Sequence, residues 1–149
     1  YVEAKYNKEV IISAHPKSNY NIDTFRKRKI IKNKTPNLIH NADLILAHST
    51  TSIFNAVLSE KPIIFLYYEE MLQKGTRKWT IATFEYAKRL KMPLINLDKS
   101  YDFNINLDYK RYNEFKYKYL VSKSKEDKSN GEIIISFLKK YKKLHKEVK

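Results

Sequence analysis

Two short stretches of this chain carry side chains suited to an anion. His15 stands in "SAHPKSNY", directly after the apolar run "EVIISA" (9–14), with Pro16 and Lys17 behind it. Ser49, Thr50, Thr51 and Ser52 form an unbroken hydroxyl run between the apolar "DLILA" (43–47) and a helix-like segment. An imidazole changes charge near neutrality, so it can donate to a phosphate oxygen or protonate a leaving phosphate. Lys17 adds a positive charge. Serine and threonine hydroxyls supply donors without bulk, and the first N–H groups of a helix lack intrahelical partners and attract anions. Each stretch also has a plainer reading. One Ser or Thr before a helix is an ordinary cap, worth roughly 1 kcal/mol, and a His-Pro at a strand end is commonly structural.

The elements that must position these residues follow from the periodicity. "EVIISA" reads as a strand that Pro16 stops, because proline lacks an N–H and fixes its own φ. "KII" (29–31) is a short strand candidate. "TPNLIHNA" (35–42) reads as a helix, with Thr35 as its cap and Pro36 at its first position. "DLILA" has the continuous apolar pattern of a strand covered on both faces. "TSIFNAVLSE" (51–60) places Ile53, Phe54, Val57 and Leu58 at helical spacing. "PIIFLY" (62–67) and "PLINL" (93–97) are strands. Between them "TRKWTIATFEYAKRLKM" (76–92) is a longer helix, with Trp79, Ala82, Phe84, Ala87 and Leu90 as packing residues. This alternation predicts βαβ units with right-handed crossovers. The expected fold is α/β, a Rossmann-like parallel sheet with helices on both faces. Ligands of such sheets bind beyond the carboxyl ends of the strands. His15 and Ser49–Ser52 both fall at such ends, and they converge if their strands are neighbours. From about residue 108 the pattern is helix only: "DYKRYNEFKYKYLV" and "GEIIISFLKKYKKLHKEV", joined by the polar "SKSKEDKSNG". Residues 1–149 show no repeat and no clear linker, so they read as a single domain.

The chain has 149 residues, enough for a sizeable core, and 42% of them are hydrophobic. It has no cysteine, which excludes disulfides and thiolate metal sites. That suits a cytoplasmic location. No apolar run approaches the roughly 20 residues that span a bilayer. The formal net charge of +14 favours anionic partners. The same excess of Lys, Asn, Ile and Tyr is expected from an AT-rich coding sequence, so charge alone names no partner. The chain begins at Tyr1 and soon enters a strand-like run, as a piece of a longer protein would.

"AHPKS", followed by "KTPNLIHNADLILAHSTTSIFNAVLSEKPIIF", resembles the C-terminal, donor-binding domain of GT-B transferases that build bacterial surface polysaccharides. It is most similar to the capsule-type glycosyltransferases with an HP motif and a downstream Ser/Thr motif, among them polysialyltransferases and Kdo transferases. It is also similar to the CDP-glycerol glycerophosphotransferases of teichoic acid synthesis. The likeness covers about residues 9 to 100. It implies a donor activated by CMP, CDP or UDP, held at its phosphate by the histidine of the HP motif (His15, Pro16, with Lys17 adjoining) and by the hydroxyls of Ser49, Thr50, Thr51 and Ser52. His15 would be the catalytic residue, stabilising or protonating the leaving nucleotide phosphate. The resemblance implies no cofactor and no metal, and the chain has no Asp-x-Asp motif. It further implies that these residues are the C-terminal half of a two-domain enzyme, whose N-terminal half holds most of the acceptor site. The acceptor would be a glycan or a lipid-linked chain, and the location the cytoplasm, at the inner face of the bacterial membrane. Many relatives have an acid in the helix after the Ser/Thr motif that contacts the ribose, and this chain departs from them there with Asn55. Thr50-Thr51 departs from the Gly-Gly of UDP-GlcNAc 2-epimerases, which share the architecture. The alternatives are polyol-phosphate transfer from CDP-glycerol or CDP-ribitol and, in another class, a non-catalytic nucleic-acid-binding module.

Three further stretches carry function candidates. "YEEMLQKGTRKW" (68–79) is a candidate loop over the donor, with Lys74 and Arg77 reaching phosphate, though such loops are more often merely solvated. "DYKRYNEFKYKY" interleaves basic and aromatic residues as single-strand binders do, but Tyr112, Phe115 and Tyr119 share one helical face, the ordinary core stripe. The last helix puts Ile134, Phe137, Leu138, Tyr141 and Leu144 on one face, with Lys139, Lys140, Lys142, Lys143 and Lys146 on the remainder. That pattern serves either packing on the sheet or contact with an anionic membrane.

Overall fold

The computed structural model describes residues 1–73, 75–99 and 103–146, with side chains of the last helix described as far as Lys142. Those residues form two units, Tyr1–Phe115 and Lys116 onward. The first unit is α/β. Its elements run α1 (Val2–Tyr6), β1 (Ile12–Ala14), β2 (Ile30–Lys32), α2 (Thr35–Asn41), β3 (Ile45–Ala47), α3 (Ile53–Leu58), β4 (Ile63–Tyr67), α4 (Arg77–Leu90), β5 (Leu94–Asn96) and α5 (Tyr109–Phe115). The strand–helix alternation predicts parallel pairing, and every pairing is parallel. The ladders form two small sheets: β1 beside β2, and β3-β4-β5 in that order.

The central strand β4 is the heart of the core. Ile63, Ile64 and Phe65 are fully buried, as a strand covered on both faces must be. Ile53, Ala56 and Val57 of α3 and Ala87 and Leu90 of α4 are buried too. Tyr112 of α5 is sealed in, its hydroxyl donating to the Lys61 carbonyl at 3.0 Å. Burial raises that phenol above its ordinary range.

Several local expectations need correction. Strand β3 is not covered on both faces, for Leu46 is 36% exposed. Its open side borders a cavity of about 260 Å³, also lined by Leu66, Ile95 and Phe103 and by Tyr1 and Val2 of the N-terminal segment. Helix α1 is a missed element, held by a two-pronged contact between Arg28 and Glu3, whose carboxylate also accepts the Val10 N–H. The Arg28 guanidinium lowers the Glu3 carboxyl below its usual range. Thr35 does not cap α2. Lys34 is the cap residue, and the Thr35 hydroxyl instead lies 2.7 Å from that of Ser13 on β1. Trp79 does not pack: it is 54% exposed, and α4 turns Thr80, Thr83, Ala87 and Leu90 inward. The buried threonines are accommodated because their hydroxyls bond carbonyls, Thr80 to Met71 and Thr83 to Trp79.

With two glycines, the chain ends α3 and α4 on other residues in left-handed geometry. Glu60 follows α3 at φ 52° and Lys91 follows α4 at φ 53°. After α3 the N–H groups of Lys61 and Glu60 reach back to the carbonyls of Ala56 and Val57. After α4, Met92 and Lys91 do the same to Ala87 and Lys88. Both ends are Schellman motifs.

The second unit begins with π-helical bonding over Lys116–Leu120 and ends in α6 (Asn130–Lys146). The aromatic core stripe stops at Phe115, and Tyr119 is about half exposed. Lys116 and Tyr117 both bond the Glu126 carboxylate, which holds the loop against the π-helical turn. Ser129 and Glu132 form a reciprocal capping box: the carboxylate accepts the Ser129 N–H at 2.7 Å, and the Ser129 hydroxyl accepts the Glu132 N–H at 3.3 Å. No helix among the described residues is long and apolar enough to cross a membrane.

Candidate functional site

The His15 stretch leaves β1 at its carboxyl end and turns at once. The Ser18 N–H and hydroxyl both donate to the His15 carbonyl, at 2.9 and 2.6 Å. Pro16 occupies the second position of this turn, where its fixed φ favours it. The Lys17 N–H donates to His15 Nδ1 at 3.1 Å. Nδ1 is therefore an acceptor, and the neutral ring carries its hydrogen on Nε2. The imidazole is exposed, so Nε2–H is a donor offered to solvent or ligand. Lys32, at the end of β2, bonds the Ser18 carbonyl and ties the turn to the neighbouring strand. Lys17 and Lys32 thus put two cations on the loop that presents His15.

The hydroxyl stretch leaves β3 at its carboxyl end and opens α3. Ser49 takes a left-handed backbone, φ 42°. Its N–H donates 3.0 Å to the hydroxyl of Thr83, buried in α4. The Thr50 hydroxyl accepts the Ser52 N–H at 3.1 Å, a local turn just before the helix that fixes the loop without capping α3. Ser52, at the formal cap position, makes no side-chain cap bond. One of the four hydroxyls is thereby committed to structure. Among the described residues no protein partner holds those of Ser49, Thr51 and Ser52. Helix α3 has only six residues, so its dipole is short, and an anion here would be met chiefly by hydroxyls and turn amides.

Helix α2 links the two stretches. It contacts both β1 and α3, and its first residue bonds Ser13, two positions before His15. His15 and Ser49–Ser52 stand at the carboxyl ends of strands in different ladders, so the neighbouring of their strands that was expected to bring them together is not found.

Arg77 is the first residue of α4 and is exposed. Lys74 lies outside the described residues. Gly75 adopts φ 108°, a conformation that L side chains rarely take, which explains one of the two glycines. Three residues that the sequence did not point to as site residues stand at this loop or one helical turn from it. Thr83 clips the hydroxyl loop. Trp79, one turn earlier on α4 and bonded through its carbonyl to Thr83, is exposed beside it. His48 is exposed and precedes the hydroxyl run. A threonine at a helical core position was the only available signal for Thr83. Nothing in the pattern distinguishes an exposed tryptophan from a packed one.

At the ends of β4 and β5 a polar network closes the edge. Asn96 donates to the Glu69 carboxylate at 2.7 Å, and Asp98 accepts the Glu69 N–H at 2.7 Å. Among the described residues no group of three or more His, Asp or Glu side chains is placed to hold a metal ion. No family model matches the chain, and it matches no curated protein and no solved structure.

Proposed function

We propose that this chain is the donor-nucleotide-binding part of a glycosyltransferase that adds a sugar to a growing bacterial surface polysaccharide. The observation that carries the reading is the state of His15. Its Nδ1 is occupied by the Lys17 N–H, so an exposed Nε2–H donor stands at the carboxyl end of a parallel strand, among Lys17 and Lys32. The hydroxyl loop supports it, with Ser49, Thr51 and Ser52 uncommitted while the Thr50 hydroxyl fixes the turn that carries them.

In this reading His15 Nε2–H donates to the phosphate oxygen on which charge develops as the sugar–phosphate bond breaks. Removing one such donor typically lowers turnover by about a hundred- to a thousandfold. Lys17 contributes charge. Ser49, Thr51 and Ser52 bind the remaining oxygens, Thr50 holds their loop, and Pro16 shapes the turn. Arg77, exposed at the start of α4, is the donor-loop cation within the described residues. The acceptor and the catalytic base belong to a further domain, and the reaction belongs to the cytoplasm. Alone, these 149 residues bind donor weakly and transfer nothing.

The test uses Trp79, which is exposed one helical turn from the residue that clips the hydroxyl loop. Titration with CMP, CDP or UDP should change its fluorescence. The response should be lost in His15→Ala and in Thr50→Ala with Thr51→Ala. Tight, salt-sensitive binding of polyuridylate that ignores those substitutions would overturn the reading in favour of nucleic acid.

A further inference from the structure

We infer that α6 is a docking helix for an anionic lipid surface. Its apolar residues are not packed away. Ile134, Phe137 and Leu138 are 58%, 64% and 50% exposed, and Tyr141 is exposed beside them. At about 3.6 residues per turn these four share one face, since they are three or four apart. Lys140 and Lys142 fall on its two borders and Lys139 on the opposite side. That is the arrangement of a helix lying in a membrane interface: apolar residues enter the acyl boundary while bordering lysines reach the headgroups.

Charge selects the occupant. Between Asn130 and Lys146 the sequence holds five lysines and one acid, Glu132. Glu132 is engaged in the capping box with Ser129, at the N-terminal end of the helix. It does not neutralise the lysines two and more turns away. A second copy of this chain would bring an identical lysine-rich helix against the first, and the whole chain already carries +14. Like charges at that distance repel. An anionic bilayer satisfies both the apolar face and its cationic borders. The inference does not depend on the transferase reading, and its test uses no nucleotide.

The experiment is co-sedimentation of the full chain with vesicles of phosphatidylcholine alone and of phosphatidylcholine with 30% phosphatidylglycerol. The chain should partition onto the anionic vesicles and leave the neutral ones largely free. Lys140→Gln with Lys142→Gln should weaken partitioning about 25-fold, near fivefold per lysine. Phe137→Ser with Leu138→Ser keeps the net charge and should weaken it at least tenfold. Both pairs lie on exposed positions, and circular dichroism checks that the helix persists. Three results overturn the inference: no partitioning onto anionic vesicles, partitioning that the Phe137/Leu138 pair leaves intact (charge alone), or self-association that this pair abolishes without vesicle binding.

Discussion

Replacing Thr83 separates the clip on the hydroxyl loop from the packing of α4. Thr83 is buried, accepts the Ser49 N–H at 3.0 Å and donates to the Trp79 carbonyl at 3.0 Å. Thr83→Val keeps volume and shape but removes the acceptor. The bond is neutral, and Ser49 is exposed enough for water to replace part of it, so the loss is about 1 kcal/mol. Thr83→Ser keeps the acceptor and deletes one buried methyl, also about 1 kcal/mol. Urea denaturation should therefore show similar losses for the two. Hydrogen exchange at the Ser49 amide should not. It should quicken about fivefold in the valine variant, the equivalent of 1 kcal/mol, and stay near the parent rate in the serine variant. Nucleotide affinity should follow exchange, because a loop that spends less time in its binding geometry binds in proportion. Equal exchange in both variants would refute the clip. Slowed exchange in valine would show that the hydroxyl strains the loop instead.

Tyr112→Phe leaves the Lys61 carbonyl without its donor inside the core and should cost about 1–2 kcal/mol by denaturant titration. Burial raises the Tyr112 phenol, so the folded chain keeps a proton that the unfolded chain loses above about pH 10. Stability should therefore fall as pH rises beyond 10, by up to about 1.4 kcal/mol per pH unit, and the phenylalanine variant should lack that part of the decline. Glu60→Gly and Lys91→Gly each replace a side chain held in left-handed geometry at a helix end and should stabilise the chain by roughly 0.5–1 kcal/mol, read as a higher melting temperature. Ser129→Ala breaks the capping box and should cost the last helix about 1 kcal/mol, seen as lost helicity by circular dichroism.

The alternation of apolar runs made the α/β class and the parallel pairing legible, because β4 and α3 bury such continuous apolar sets that few other arrangements suit them. The ends of the strands were legible for the same reason, and with them the positions of His15 and Ser49–Ser52. Four things were hidden. Trp79 was expected to pack and is exposed, while Thr83, which carried no expectation, is buried, since a helix face is chosen by hydrogen-bonded packing as well as by apolarity. The left-handed helix ends carry Glu60 and Lys91, which no glycine marks. The tautomer of His15 depends on one backbone N–H folding back from Lys17, a contact that only the turn geometry creates. The division of the strands into two ladders was also invisible, because three-residue strands have little pattern from which to read their partners.

The central claim is that the imidazole of His15 and the hydroxyls of residues 49–52 bind one phosphate. A crystal structure of the chain with CDP tests it most directly. The account predicts a phosphate oxygen within hydrogen-bond distance, about 3 Å, of His15 Nε2 and another within the same distance of a hydroxyl of Ser49, Thr51 or Ser52. A nucleotide bound through only one of the two stretches, or away from both, would contradict it.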